Sequence, residues 1–236
     1  MVAKTFASVV AALVLGPSLA LASPQEVALA ADPSKTTAST SLTPGDTDTS
    51  VKPVDPDNPG GNFTGDPEDP DNPGTGSTGP LTLDYVSNIK FRQDAGLNGQ
   101  LITATAVNTK AFVQISDRRY NGHGWKLYVT PSTLTGQKDQ SVISAASVTL
   151  GQSKFTPRYA DTVSGKPSVT VGGDQELPLG IPALVARAKK DTGLGTWIMR
   201  LNYHPKLLTR LFVNAAQVTK QQPYAGELTW QLTDTP

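Results

Sequence analysis

The chain has 236 residues, no cysteine and a formal net charge of zero, with 20 basic and 20 acidic residues. This length allows one large or two small domains. Because there is no cysteine, a disulfide framework and a thiolate zinc site are both excluded, and any folded domain must be stabilised by its hydrophobic core.

The N-terminal residues have the pattern of a secretory signal peptide. An apolar stretch over residues 6–21 follows Lys4 and ends in small residues at Ala20 and Ala22. We predict a signal peptide over residues 1–22, and a second small-residue pattern allows cleavage as late as residue 30. No later segment has the roughly 20 apolar residues of a membrane span. Since a Leu-Pro-x-Thr-Gly sorting motif is also absent, we expect an exported protein that is held at the surface by binding.

Residues 31–80 are rich in Pro, Gly, Asp, Thr and Ser, a composition that buries too little apolar surface to offset the entropy of ordering. The sequence Asp-Pro-Asp-Asn-Pro-Gly occurs there twice, at 55–60 and 69–74. We predict a disordered, extended acidic spacer. It carries 9 acidic and 2 basic residues, whereas residues 81–236 carry 10 acidic and 17 basic residues. This excess of positive charge in the domain either favours an anionic partner or is spread over a solvated surface.

Residues 81–236 consist of short alternating runs separated by turn signals such as Asn98-Gly99. Such runs are typical of half-buried strands. The predicted strands are 81–86, 101–107, 112–115, 125–130, 147–150, 168–171, 197–203, 209–213 and 227–232. Residues 183–190 are predicted as a helix, because Pro182 stands where a helix can begin. The sequence therefore predicts an all-β fold, a β-sandwich-like domain with one short helical crossover.

Two Trp-x-Leu motifs, Trp125-Lys126-Leu127 and Trp230-Gln231-Leu232, lie in predicted strands. Side chains at i and i+2 of a strand project from the same face, so each motif presents one Trp beside one Leu. Two interpretations stay open. Large aromatic side chains dominate core burial, which favours both rings in the sandwich core. Alternatively, one or both rings are exposed and form a platform for sugar rings or for a partner protein.

The sequence around the motifs is more specific than the motifs themselves. Residues 79–87 are Gly-Pro-Leu-Thr-Leu-Asp-Tyr-Val-Ser, the first motif lies in Gly-Trp-Lys-Leu-Tyr-Val, and the second lies in Glu-Leu-Thr-Trp-Gln-Leu-Thr-Asp-Thr-Pro. Together with the Pro-Asp-Asn-Pro spacer, this closely resembles the WxL-domain family of Gram-positive surface proteins from about residue 55 onward. One departure is the basic sequence Lys-Phe-Arg-Gln at 90–93, where a more apolar pattern with Gly is expected.

The resemblance implies a C-terminal domain, residues 81–236, that associates non-covalently with peptidoglycan at the cell wall. It also implies multi-component surface complexes, with a membrane-anchored companion that recognises the domain and with other WxL proteins. The family's motif positions correspond to Trp125, Leu127, Trp230 and Leu232, which are the candidate binding residues for the wall or a partner.

Three basic residues lie near the first motif: Arg118, Arg119 and Lys126. Arginine suits bidentate contact with phosphate or carboxylate groups, so these residues are candidate contacts for an anionic wall polymer. Ordinary solvated charge is the alternative. A nucleic-acid site would use a similar patch, but export disfavours nucleic acid as the partner.

No pattern in the sequence predicts catalysis, a metal or a cofactor. The two histidines, His123 and His204, have no further ligand at metal-binding spacing. The spacer acids lack the further ligands and the twelfth-position Glu of an EF-hand loop, and prolines hold the carboxylates apart. No Gly-x-Ser-x-Gly elbow is present, and the acids of the domain do not identify a glycosidase pair. We predict a binding module without enzymatic activity. The competing hypothesis is a protein-interaction subunit that its companion tethers without direct wall contact.

Overall fold

Strands account for nearly all of the regular secondary structure in the described residues. The structure, a computed structural model, describes residues 47–96, 99–173 and 175–234, all of which belong to one compact unit. The predicted signal peptide and the first part of the predicted spacer lie outside the described residues. In chain order the strands are β1 (Val54–Asp55), β2 (Asn58–Asn62), β3 (Leu81–Val86), β4 (Phe91–Gln93), β5 (Leu101–Ala106), β6 (Phe112–Asp117), β7 (Trp125–Pro131), β8 (Leu134–Gly136), β9 (Val142–Ile143), β10 (Ala146–Thr149), β11 (Lys154–Pro157), β12 (Ser168–Val169), β13 (Glu176–Pro178), β14 (Ala183–Ala188), β15 (Gly195–Arg200), β16 (Arg210–Asn214), β17 (Tyr224–Ala225) and β18 (Leu228–Asp234).

Two four-stranded antiparallel sheets enclose the main core. Their strand orders are β11-β15-β6-β3 and β12-β14-β7-β18. Every second side chain of a strand faces the core, as on β7, where Trp125, Leu127 and Val129 are fully buried. A five-stranded sheet, β13-β10-β16-β5-β4, reaches the same core through Leu177. A three-stranded sheet, β17-β8-β9, also belongs to the domain.

The predicted all-β class is confirmed, and each of the nine predicted strands corresponds to an observed one. Their bounds differ by no more than three residues. On strands such as β7 and β18 one face is more buried than the other, and this produces the period-two pattern. Strands β9 and β17, which were not predicted, have two residues each, too few to produce a clear period-two pattern.

The predicted helix at 183–190 is wrong, because this segment forms strand β14. Its Ala, Leu and Arg residues favour a helix by only about 0.7 kcal/mol per residue or less. In the structure β14 lies between β12 and β7, and Val185, Ala186 and Ala188 are buried. Pairing on both edges and burial outweigh the local preference. The helical element of the described residues is a 3-10 turn at Ala215–Gln217, so the predicted helical crossover is absent from them.

The described part of the predicted spacer, residues 47–80, packs against the domain, so the fold begins before Leu81. Strands β1 and β2 form a small sheet that covers the outer face of β11-β15-β6-β3. There Val54 and Phe63 join Tyr85, Phe112 and Ile198 in a second core, in which the rings of Tyr85 and Phe112 stack with centroids 4.3 Å apart. Strand β6 is consequently buried on both faces.

Two buried carboxylates also hold this segment in place. Asp69 accepts hydrogen bonds from the backbone N–H of Asn88 at 2.9 Å and from its side-chain amide at 2.8 Å. Asp66 accepts from the backbone N–H of Lys110 at 2.9 Å. The prediction of disorder considered only how much apolar surface this segment can bury. Carboxylates that accept several hydrogen bonds also stabilise an ordered segment, and such pairing depends on residues distant in the chain.

Candidate functional site

Antiparallel pairing of β7 with β18 brings the two Trp-x-Leu motifs side by side. Leu127 lies opposite Leu232, and Val129 lies opposite Trp230. Directly opposite residues of an antiparallel pair project from the same face. Both motifs therefore point Trp and Leu toward the space between the two main sheets. The spacing within each motif predicted these faces, but not that the two motifs are neighbours.

Trp125 belongs entirely to the core. It is fully buried, its indole N–H donates to the Gly193 carbonyl at 3.3 Å, and its ring meets Phe155 edge-on with centroids 5.9 Å apart. Gly193 has a φ of +74°, and a Cβ at this position would lie 2.8 Å from Trp125 Nε1, so only glycine allows this approach. Leu127 is also fully buried. The core interpretation holds for the first motif.

Trp230 and Leu232 are only half-buried, because β18 is the edge strand of its sheet. A groove of about 770 Å³ lies beside β18 and is lined by Leu228 and Trp230 on one side and by Leu83 and Val86 of β3 on the other. The indole nitrogen of Trp230 is buried, yet it has no hydrogen-bond partner among the described residues. The second motif therefore borders a surface groove with a mixed apolar and polar lining.

The opposite face of the same sheet is basic, with an exposed Arg187 and a half-buried Lys126. Lys126 of β7 lies directly opposite Arg187 of β14, with Tyr128 next along β7 on the same face. Neither Lys126 nor Arg187 forms an ion pair with any residue that the structure describes. Like charges directly opposite one another are unfavourable, so an anion that bridges the two side chains would stabilise this surface.

Arg119 joins the ends of the two motif strands from inside the protein. Its side chain is 8% exposed and donates to the buried Asp117 carboxylate at 2.8 and 2.9 Å, to the Gly124 carbonyl at 2.6 Å and to Asp234 at the end of β18. The hydrogen bonds that Arg119 donates to Asp117 raise the pKa of Arg119 further above its ordinary range. A wall polymer would have to displace these partners to reach Arg119.

Arg118 contacts the segment that was predicted as a spacer. Its guanidinium donates to the backbone carbonyls of Thr49 at 3.1 Å and Gly79 at 2.7 Å. Among the three basic candidates, Lys126 thus lies on the exposed sheet face, while the two arginines bind groups of the protein itself. Sequence reasoning missed Arg187, since only the register between β14 and β7 places it beside Lys126.

The described residues contain no cluster of three or more His, Asp or Glu that could hold a metal ion. His123 and His204 are both exposed. Strand β3 contains one acid, Asp84, which is buried. Burial raises the pKa of Asp84, while hydrogen bonds from Ser116 and Thr82, each 2.6 Å long, oppose that shift. These hydroxyls satisfy the carboxylate within the fold, which gives Asp84 a structural role.

The fold and these surfaces define an all-β module with two distinct candidate contact regions, a basic sheet face and a partly apolar groove at a sheet edge. In the part of the chain that the structure describes, no helix is long and apolar enough to cross a membrane.

Comparison with known proteins identifies the kind of module. The family model described as WxL domain surface cell wall-binding matches residues 30–236, and the chain belongs to this family. The resemblance seen in the sequence is thereby confirmed. The protein is a member of a family of cell-surface, wall-binding domains, which is not a family of enzymes. A search of curated proteins and a search of solved structures each gave no match.

Proposed function

We propose that this chain is a secreted protein that attaches non-covalently to the Gram-positive cell wall through its C-terminal WxL domain. Family membership supports binding to the wall. The Lys126–Arg187 pair on the exposed face of the sheet is the observation that supports a location for this contact. The proposed ligand is peptidoglycan or an anionic polymer attached to it.

The charge around this pair suits an extended anionic polymer. Lys189 and Lys190 are exposed and follow directly after β14. The outward-facing positions of β7, β14 and β18, as the structure describes them, contain no acidic residue. Arginine can bind a phosphate or carboxylate with two parallel hydrogen bonds, whereas lysine acts as a point charge. Arg187 and Lys126 together provide both kinds of contact.

Co-sedimentation of the mature protein with purified peptidoglycan tests this proposal. We expect the double variant Lys126→Gln and Arg187→Gln to bind about three- to tenfold more weakly, since two exposed charge contacts contribute about 1 kcal/mol or less each. The matched control is Lys206→Gln with Arg210→Gln, which removes the same charge from two other exposed residues. Binding by charge should also weaken as salt increases.

Two results would contradict the proposal. One is a mature protein that does not co-sediment with the wall at low salt, and the other is an equal loss of binding in the two double variants. Peptidoglycan with and without its phosphodiester-linked polymer distinguishes the two proposed ligands, because only an anionic-polymer contact is lost when that polymer is removed.

The proposal includes a place in a multi-protein surface complex, with a membrane-anchored companion and other WxL proteins as partners. The groove beside the half-buried Trp230 and Leu228 supports a protein contact in addition to the wall contact. Attachment to cells that lack the companion is the discriminating measurement. Undiminished attachment would show that the companion is not the sole tether, whereas complete loss would favour the protein-interaction hypothesis over direct wall binding.

A further inference from the structure

Two edge strands beside the groove, β3 and β18, differ in how their backbones are covered. The free edge of β3 is bonded to the preceding segment, since Thr75 N–H donates to the Asp84 carbonyl at 2.9 Å and the Asn72 side chain donates to the Val86 carbonyl at 2.8 Å. A bulge at Asp84 also interrupts its register. By contrast, β18 pairs only with β7 among the described residues. Of these two strands, only β18 has an edge that no other described segment covers.

The residues of the second motif provide the free backbone groups of this edge. Ser132 N–H donates to the Glu227 carbonyl at 2.8 Å, so these two residues form a hydrogen-bonded pair. Such pairs alternate along an antiparallel ladder. The N–H and C=O groups of Leu228, Trp230 and Leu232 therefore point away from β7, while the side chains of the same residues point toward the interior.

Natural edge strands usually carry devices that prevent further pairing, such as Lys, Pro or a bulge. From Leu228 to Thr233 the edge strand β18 has none of these, and its register with β7 is regular. The buried indole N–H of Trp230 has no acceptor among the described residues, and a buried donor without an acceptor costs about 1–3 kcal/mol. An added strand would supply backbone acceptors to the edge and a candidate acceptor for this indole.

We propose that β18 is a docking edge to which an extended segment of another protein adds as a further strand. The apolar side chains of that segment enter the groove of about 770 Å³ beside Leu228 and Trp230, a mode in which backbone bonds provide affinity and side-chain pockets provide specificity. Glu227 is exposed just before β18, whereas Asp234 at the other end already binds Arg119. The complementary segment is therefore uncharged and alternating in its centre and basic at the end that meets Glu227.

The same charges disfavour a second copy of this chain as the occupant. Two β18 strands related by a twofold axis are antiparallel, and the register that pairs all seven residues puts Glu227 of each near Asp234 of the other. Like charges would then meet at both ends, although Asp234 also binds Arg119. The inference does not depend on wall attachment, because the proposed wall contact uses the opposite face of the sheet.

Hydrogen exchange of the mature protein with a synthetic probe peptide tests the docking edge. The probe is Lys-Val-Thr-Val-Thr-Val-Thr-Lys, and the control peptide has proline in place of the central valine. We expect the probe to slow amide exchange about tenfold at Leu228, Trp230 and Leu232, with no change at Thr229 and Gln231, which already face β7. The proline peptide should have no effect, because it lacks the required N–H.

A pair of variants on adjacent residues provides the matched control. Leu228→Lys places a charge where the added strand would pack and should abolish the protection, whereas Thr229→Lys adds the same charge to the other face and should retain it. Melting of both variants checks that they are folded. The proposal is overturned if about 1 mM probe causes no slowing or if both peptides act equally. It is also overturned if protection without peptide rises with protein concentration and sedimentation shows a dimer, since the occupant is then a second copy.

Discussion

The two Trp-x-Leu motifs share a Trp and a Leu at the same spacing on a strand. In both motifs these side chains point to the same face of the sheet, but their surroundings differ. Strand β7 is paired on both edges, and its Trp125 is fully buried. Strand β18 is paired on one edge only, and its Trp230 remains half-buried beside a groove. The spacing of a motif determines where its side chains point, whereas the position of its strand in the sheet determines what covers them.

The two motifs therefore have different roles, although they share one name. The first motif builds the core, with its indole bonded to Gly193. The second has an unpartnered indole in the described structure and the free backbone edge proposed above as a docking strand. A loss of function after mutation of either Trp is informative only when folding is measured on the same sample, because a core substitution also removes function by unfolding the domain.

Truncation of each tryptophan to alanine should give the largest difference in stability between the two motifs. We expect Trp125→Ala to lower the free energy of unfolding by about 3–5 kcal/mol, as is typical for a buried aromatic side chain. Trp230→Ala should lower it by about 1–2 kcal/mol, since less apolar surface is lost from a half-buried position. Urea unfolding of both variants checks the difference. Equal losses would contradict the assignment of only the first motif to the core.

Removal of Arg119 should have the next largest effect, because it leaves the fully buried Asp117 carboxylate without its charged partner. We expect Arg119→Ala to cost about 3 kcal/mol, at the lower end of values for a broken buried ion pair. Arg210→Ala, at an exposed arginine, is the control and should stay within about 0.5 kcal/mol. Chemical unfolding gives both values. A cost for Arg119→Ala no larger than that of the control would refute a structural role for Arg119.

Replacement of each Trp by Phe should give the smallest change in stability, but it tests the indole N–H specifically. Trp125→Phe removes the donor to Gly193, and we expect a loss of about 1–3 kcal/mol from the unsatisfied carbonyl and the lost packing. Trp230→Phe should change stability by less than about 1 kcal/mol, because its indole N–H has no partner among the described residues. Thermal melting compares the two. A larger loss for Trp230→Phe would show that this indole already has a partner.

Two errors of sequence reasoning share one physical cause. Composition predicted a disordered spacer over 31–80, yet in its described part Val54 completes a core with residues of β3, β6 and β15, and Asp69 is bonded to Asn88. Local propensity predicted a helix where β14 is a strand. In each case the stabilising contacts come from residues far away in the chain, and neither composition nor periodicity contains information on such contacts.

The sequence by itself determined the all-β class, the positions of the main strands, the inward direction of both Trp-Leu pairs and the resemblance to the WxL family. These features depend on local alternation and on motifs, which are visible in a single chain. Tertiary structure alone decided that the motifs are neighbours, that Trp125 is core and Trp230 lies at an edge, and that Lys126 faces Arg187. Strand order and register decide these features, because they determine which distant residues each side chain meets.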